Sequence, residues 1–266
     1  MDICDFICIG INQDYAREIT REGFQKQSVK MAATIFRQNI EQAQNLVDMP
    51  GMVANAVYEL GKAWSIAHVE TTGKPWTGEI LPKDKADDVV KRHRELYSLA
   101  KEDPSFSLKD SPFTLIHMGF MNPELPLGQG YQSIVKGMIV YAWGACENLM
   151  RMLYEDATGK QAKSFQSAWG LYKAFQTAFE TTNPGVYDAV KNDRIRAFWL
   201  VRNVIVHSNA VIDSSFIKDS EAVTGLDEFR SLGIGKPIPL TSPIVSRLVN
   251  SFHDAVWDVI REFDQL

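Results

Sequence analysis

The stretch RIRAFWLVRNVIVHSNAVID, residues 194–213, decides the fold of the carboxyl-terminal half of the chain. Its apolar residues recur at spacings of three and four, which predicts a helix with a broad buried face. Three polar side chains, those of Arg202, Asn203 and His207, interrupt the apolar run close to its end. The same stretch therefore raises two questions: which face the helix buries, and whether its three polar residues form a reactive site.

Helical patterns precede this stretch. Residues 132–155 predict a long helix that is apolar on most sides, and Gly159 is expected to end it in a left-handed conformation. Residues 162–181 predict a second helix. These elements indicate an all-α fold in which several helices pack around a shared core as a helical bundle.

The segments around and after residues 194–213 complete the predicted bundle. Pro184 suits the first turn of a third helix, which is expected to continue without interruption to about Ala210. Residues 211–241 are rich in Gly and Pro and predict a small hairpin or loop insertion. A last helix is expected to begin at Thr241 or Ser242 and to run to the end of the chain.

The amino-terminal part, residues 1–130, predicts a mostly helical region of unknown role. Residues 14–47 have the pattern of one long amphipathic helix or of a broken pair, and Met-Pro-Gly at 49–51 predicts its end. A helical pattern resumes over residues 52–69. Residues 83–103 predict a charged surface helix, because opposite charges recur there at helical spacing.

The domain boundary is predicted in the connection between these two halves. Prolines and glycines are frequent over residues 103–131, which predicts an irregular segment with a short strand near residues 113–120. The expected domains are therefore residues 1–130 and residues 131–266.

Composition restricts the classes of function. The chain has 266 residues, of which 45% are hydrophobic and 23% charged, as in ordinary globular proteins. The net charge of −5 argues against strong non-specific attraction to nucleic acid, so any contact with RNA requires a local basic patch.

The sequence also predicts the cellular setting. Asp2 and Asp5 stand where a secretory signal would carry basic residues, and no apolar run is long enough to span a bilayer. The three cysteines, Cys4, Cys8 and Cys146, lack the paired spacing of zinc ligands. We therefore expect a cytoplasmic protein that has no membrane contact, no metal site and no cofactor.

Arg202, Asn203 and His207 have the residue types of a phosphodiester-cleaving site. Asn203 and His207 are four residues apart and share a helix face, and the long side chain of Arg202 reaches over the same edge. A guanidinium binds phosphate with two parallel hydrogen bonds, and an imidazole exchanges protons near neutral pH. RNA cleavage by its own 2′-hydroxyl needs these two groups and no metal. The alternative interpretation is structural: a salt bridge and a buried, hydrogen-bonded histidine.

Motif and element order together resemble the HEPN superfamily of all-helical domains, over residues 131–266. The hallmark of that family is Arg, a polar residue, a few further residues and His, which Arg202, Asn203 and His207 match with the commonest spacing. Glu147 falls where many such domains place an acidic residue on their first long helix.

The resemblance implies a metal-independent endoribonuclease. His207 would act as general base or acid, Arg202 would bind the scissile phosphate, Asn203 would orient His207 or the substrate, and Glu147 would position Arg202. The family usually forms homodimers with a composite cleft, and many members are bacterial toxins or antiviral effectors. Other members have lost catalysis and serve only in dimerisation or in binding ligands and partners, which is the alternative function for this chain.

Further residues near the motif are candidates for contacts with RNA. Lys191, Arg194 and Arg196 precede it and could form a basic patch with Arg202, and a solvated helix face is the equal alternative. Ser208 and Asn209 are candidates for polar contacts. The sequence favours core packing over base stacking for the four tryptophans of this half, whose neighbours are apolar: Trp143, Trp169, Trp199 and Trp257.

Overall fold

The predicted all-α class is confirmed. The computed structural model describes residues 23–75, 80–102, 126–162 and 168–266. Nine helices make up most of these ranges, and the only strand-like pairing within them is an isolated antiparallel bridge between Val211 and Pro237. None of the helices in the same ranges combines the length and the apolar character needed to cross a membrane.

The helices are numbered in chain order. They are α1 (Gln27–Thr72), α2 (Lys83–Glu102), α3 (Pro126–Thr158), α4 (Ala168–Phe179), α5 (Pro184–Val190), α6 (Asp193–Ser208), α7 (Ser214–Ser220), α8 (Asp227–Arg230) and α9 (Ser242–Gln265). The predicted strand at residues 113–120 lies outside the described residues, as do Cys4 and Cys8.

The chain divides into two compact units. Of the described residues, the first unit contains 49–75, 80–102 and 126–132, and the second unit contains 23–48, 133–162 and 168–266. This division differs from the predicted one at residue 130, because residues 23–48 belong with the carboxyl-terminal helices. In the first unit, α1 and α2 share a small apolar core of Ala63, Ala67, Val89 and Leu96.

The second unit is organised around α9. This helix buries an apolar face that includes Phe252, Trp257 and Phe263, and its main neighbours are α5 and α6. The ring of Phe252 stacks on that of Phe198 in α6, with centroids 3.9 Å apart. Phe263 meets Phe175 of α4 edge to face. Aromatic contacts therefore join three helices of this unit.

The first half of α1 packs in this second unit. Two backbone N–H groups just before the helix, those of Gln25 and Lys26, each donate a hydrogen bond of 2.9 Å to the Asp264 carboxylate. Further along α1, Phe36 stacks on His253 of α9. These contacts join positions more than two hundred residues apart, and local sequence patterns do not report contacts of that range.

The predicted end of the first helix at residues 49–51 is wrong. Helix α1 continues through Met49, Pro50 and Gly51 to Thr72. A proline inside a helix removes its own N–H as a donor and clashes with the preceding turn, yet α1 is helical on both sides of Pro50. The boundary between the two units falls at residues 48–49, beside this proline.

The predicted single helix from Pro184 to Ala210 is divided into α5 and α6. The break lies at Lys191 and Asn192, where the Asn192 side chain accepts a hydrogen bond of 2.9 Å from the backbone N–H of Arg194. Asparagine at this position is a favourable N-cap, because its side-chain oxygen satisfies a backbone donor that the new helix leaves unpaired. The apolar pattern alone, which continues across the break, does not show it.

The insertion between α6 and α9 contains two short helices and one backbone pairing. The Ile212 N–H donates to the Lys236 carbonyl at 2.9 Å, and the Ile238 N–H donates to the Ala210 carbonyl at 2.8 Å. The predicted hairpin is thus reduced to one bridge that closes the base of the insertion. Helices α7 and α8 occupy the segment between.

Stability is expected to fall as the pH drops from about 6.5 to about 4, because of His253. Burial, and secondarily Arg37, lowers the pKa of this imidazole to about 4, while Asp254 opposes the shift. The unfolded chain binds the proton near pH 6.5, whereas the folded chain binds it only near pH 4. The free energy of unfolding therefore decreases as the pH falls through this interval. The loss is up to about 3 kcal/mol.

The variant His253→Phe tests this expectation, since a phenyl ring keeps the aromatic shape without the titration. Urea unfolding of both proteins at pH 7.0 and pH 4.5 gives the difference in pH dependence, in which carboxylates common to both proteins cancel. We expect a smaller loss of stability in the variant. An equal loss in both proteins would assign the acid sensitivity to other groups.

Candidate functional site

The end of α6 holds the three residues of the Arg-Asn-His motif. Arg202 is half-buried, and its Nη1 donates a hydrogen bond of 3.0 Å to Oδ1 of the neighbouring Asn203. The Nε of Arg202 is buried and has no hydrogen-bond partner among the described residues. The guanidinium is therefore oriented by Asn203 and retains donors that no described acceptor uses.

His207 lies five residues, or about 1.4 turns, further along the same helix and is exposed. Ideal helix geometry separates it from Arg202 by about 7.5 Å along the axis and about 140° around it. Within the described ranges, no hydrogen bond or ion pair joins His207 to Arg202 or Asn203.

Ser208 and Asn209, predicted as contacts with RNA, also serve to end the helix. The Ser208 hydroxyl donates a hydrogen bond of 2.5 Å to Asp213, whose carboxylate accepts from the backbone N–H of Phe216 and caps α7. The Ser208 hydrogen bond, followed by that of Phe216, lowers the pKa of Asp213. Asn209 adopts a left-handed conformation with φ 51°, and its Oδ1 accepts from Lys136 at 3.1 Å.

The three predicted basic residues before the motif do not form one face. Arg194 and Arg196 are about 200° apart around α6. Arg194 forms an ion pair of 2.9 Å with Asp258, whereas Arg196 donates to the Asp219 carbonyl at 3.4 Å. The Lys191 ammonium lies 5.6 Å from the centre of the Tyr187 ring. The role of these side chains in binding RNA stays a prediction.

Glu147 lies on α3 and lines a cavity, and no hydrogen bond or ion pair joins it to Arg202 among the described residues. The expectation that Glu147 positions Arg202 stays a prediction without a contact to support it. The adjacent Cys146 is fully buried, and this burial, with a smaller effect of Glu147, raises the pKa of its thiol. Cys146 therefore stays a neutral, apolar part of the wall.

The cavity has a volume of about 340 Å³ and is a feature that sequence reasoning missed. Helices α3, α4 and α6 supply most of its walls, with further contributions from the end of α5 and from Ala222. Its aromatic residues are Trp143, Trp169, Tyr172 and Trp199. The prediction that Trp169 packs in the core is wrong, because 55% of this residue is exposed. The predicted burial of Trp143 and Trp257 is confirmed, and Trp199 is half-buried.

A signal for this cavity was present in the sequence. Its lining residues on α3 occupy positions 143, 146, 147 and 150, which form one helix face, and that face includes a carboxylate among apolar side chains. Among the described residues, no three or more His, Cys, Asp and Glu side chains are grouped so that they could hold a metal ion.

Comparison with known proteins gives no match to any family, to any curated protein or to any solved structure. The resemblance to the HEPN superfamily therefore depends on the motif and on the order of the helices.

Proposed function

We propose that the chain is a metal-independent endoribonuclease of the HEPN type, with its site at the carboxyl-terminal end of α6. The observation that carries this proposal is the accessibility of His207, which is exposed on the same helix end as the half-buried Arg202. The structural alternative predicted from the sequence, a buried and bonded histidine, does not describe His207. An exposed imidazole and a half-buried guanidinium near one helix end are the two groups that chemistry on a phosphodiester needs.

The proposed reaction is an internal transfer at phosphorus. The 2′-hydroxyl oxygen of one nucleotide attacks its adjacent 3′-phosphate while His207 accepts the hydroxyl proton. The bond from phosphorus to the 5′-oxygen of the next nucleotide breaks, and that oxygen takes up a proton. The products are a 2′,3′-cyclic phosphate and a 5′-hydroxyl end. Arg202 stabilises the charge that develops on the phosphoryl oxygens, and Asn203 orients the guanidinium through its 3.0 Å hydrogen bond.

The protein would act as a cytoplasmic homodimer in which two copies of the α6 end line one composite cleft. This arrangement follows from the resemblance, and the second copy would supply the opposing surface of the cleft. Lys191 and Arg196 would add phosphate contacts, and a role as a bacterial toxin or antiviral effector follows from the resemblance.

The test is cleavage of a mixed RNA pool by the purified full chain in EDTA, beside a pool of the same sequences with 2′-O-methyl groups. The proposal predicts cleavage of the RNA pool only, because the methylated pool lacks the attacking hydroxyl. Light scattering of the same sample is expected to give the mass of a dimer. Cleavage of both pools, or cleavage only after a divalent metal is added, would contradict the proposed mechanism.

A second candidate function is a non-catalytic dimerisation or ligand-binding module. It is favoured by the buried Nε of Arg202 and by the bond from its Nη1 to Asn203, which is an arrangement that a structural arginine also adopts. Absence of cleavage of every RNA in the pool by a dimeric sample would favour this module over the nuclease.

A further inference from the structure

The aromatic cavity of the second unit has the dimensions of a small-molecule site. Its volume of about 340 Å³ lies at the lower end of the roughly 300–1,000 Å³ typical of ligand pockets. One or two fused rings with a small substituent fit such a space, whereas a longer oligomer does not. Apolar side chains such as Met150 and Leu171 contribute much of the remaining wall.

Aromatic rings on three helices offer flat surfaces to a ligand. Trp169 stacks on Tyr172, with centroids 5.5 Å apart and planes inclined by 15°, and together they form one wall. Trp199 on α6 is half-buried, and no aromatic ring of the described residues stacks on it. Rings presented in this way favour a planar aromatic ligand, since stacking is the contact that a flat ring makes best with indole.

One polar group on α3 is placed to hold such a ligand by its edge. Glu147 lines the cavity and supplies a half-buried carboxylate that accepts hydrogen bonds. Trp143 lies four residues earlier on the same helix face and is 94% buried. Its indole nitrogen is buried as well, so Trp143 contributes apolar ring surface to the wall.

The charged residues around the cavity sum to zero. Glu147 and Asp193 are half-buried carboxylates, while Lys191 and Arg196 are exposed cations that already contact the Tyr187 ring and the Asp219 carbonyl. Such a site favours neither a cation nor an anion. We propose that this cavity binds a neutral, planar nitrogen heterocycle of nucleobase to nucleoside size, which stacks on the aromatic wall and donates a hydrogen bond to Glu147.

Binding at this ligand site does not depend on the proposed cleavage chemistry, although Lys191 and Arg196 line the cavity and are also proposed to contact phosphate. Trp199 lies three residues before Arg202 on α6, so the two sites share one helix. Ligand binding to the cavity is measured without any RNA cleavage assay. The binding result therefore stands even if the chain cleaves no RNA.

The experiment is titration of the full chain with neutral nucleosides (guanosine, adenosine and uridine), with choline as a cation and with benzoate as an anion. Isothermal calorimetry measures the affinity, and quenching of tryptophan fluorescence reports stacking. At least one nucleoside is expected to bind, while choline and benzoate bind more weakly or not at all. Binding of none of the nucleosides, or tighter binding of either charged probe, would overturn the proposal.

Two matched variants locate the binding. Ala222 is exposed and lines the cavity, so Ala222→Trp narrows it without disturbing the core. Ala157 is exposed near the end of α3 and away from the lining residues, so Ala157→Trp is the control. We expect Ala222→Trp to weaken nucleoside binding by roughly tenfold or more and Ala157→Trp to leave it unchanged. Equal effects of the two variants would place the binding elsewhere.

Discussion

Replacing His207 by alanine is expected to slow RNA cleavage by about 10²–10⁴-fold, which is the usual contribution of a positioned acid or base. The fold should tolerate this change, since His207 is exposed and no described hydrogen bond depends on it. The free energy of unfolding is expected to change by less than about 0.5 kcal/mol. Initial rates on one fluorescent RNA and urea unfolding curves measure the two effects separately.

His93→Ala is the matched control for this prediction. His93 lies on α2 in the first unit, where its ring contacts Trp64 and Tyr97. The control is expected to cleave RNA at the rate of the unchanged chain. A His207→Ala variant as fast as the control would remove His207 from the mechanism, and a variant that is slow but unfolded would show that the loss arises from stability.

The largest expected effect on stability comes from Phe198→Ala. Phe198 is fully buried on α6 and stacks on Phe252 of α9, with planes inclined by 10°. Its removal exposes no new surface to solvent but leaves a void between two helices that form the centre of the second unit. The free energy of unfolding is expected to fall by about 3–5 kcal/mol.

Trp169→Ala provides the comparison for Phe198→Ala, because it also truncates a large aromatic ring but does so at a position that is 55% exposed. We expect it to cost less than about 1 kcal/mol. Urea unfolding curves of both variants measure the two losses in the free energy of unfolding. Equal losses would mean that the Phe198–Phe252 contact is not a centre of the core.

The elements with strong periodicity could be predicted from the sequence alone. The long helix that Gly159 ends and the last helix, which begins at Ser242, both follow from apolar spacing and clear end signals. In α9, for example, a series of buried residues recurs at spacings of three and four: Val245, Val249, Phe252, Val256, Val259 and Phe263. Such patterns indicate which face of a helix is buried, and they depend only on residues within that helix.

Long-range packing was not predictable in the same way. The assignment of residues 23–48 to the second unit depends on contacts such as those of Asp264 with Gln25 and Lys26, which no local pattern announces. The passage of α1 through Pro50 runs against helix propensity, and no local pattern predicts it. For residues 23–48, tertiary contacts decide an outcome that propensity leaves open.

The candidate site shows the same limit. The sequence predicted Arg202, Asn203 and His207 on one helix, and all three lie on α6; their role as a site stays a prediction. It could not show that Glu147 lines the aromatic cavity, because the cavity forms only where α3, α4 and α6 meet. Residues on one helix could be related by spacing, whereas residues on different helices could not.

The most direct test of the central claim is an analysis of the RNA ends left by the full chain in EDTA, with His207→Ala run beside it. The account predicts 2′,3′-cyclic phosphate ends and 5′-hydroxyl ends from the unchanged chain, and neither from the variant. Products with 3′-hydroxyl and 5′-phosphate ends, or identical products from both proteins, would contradict the claim that His207 and Arg202 cleave RNA through its own 2′-hydroxyl.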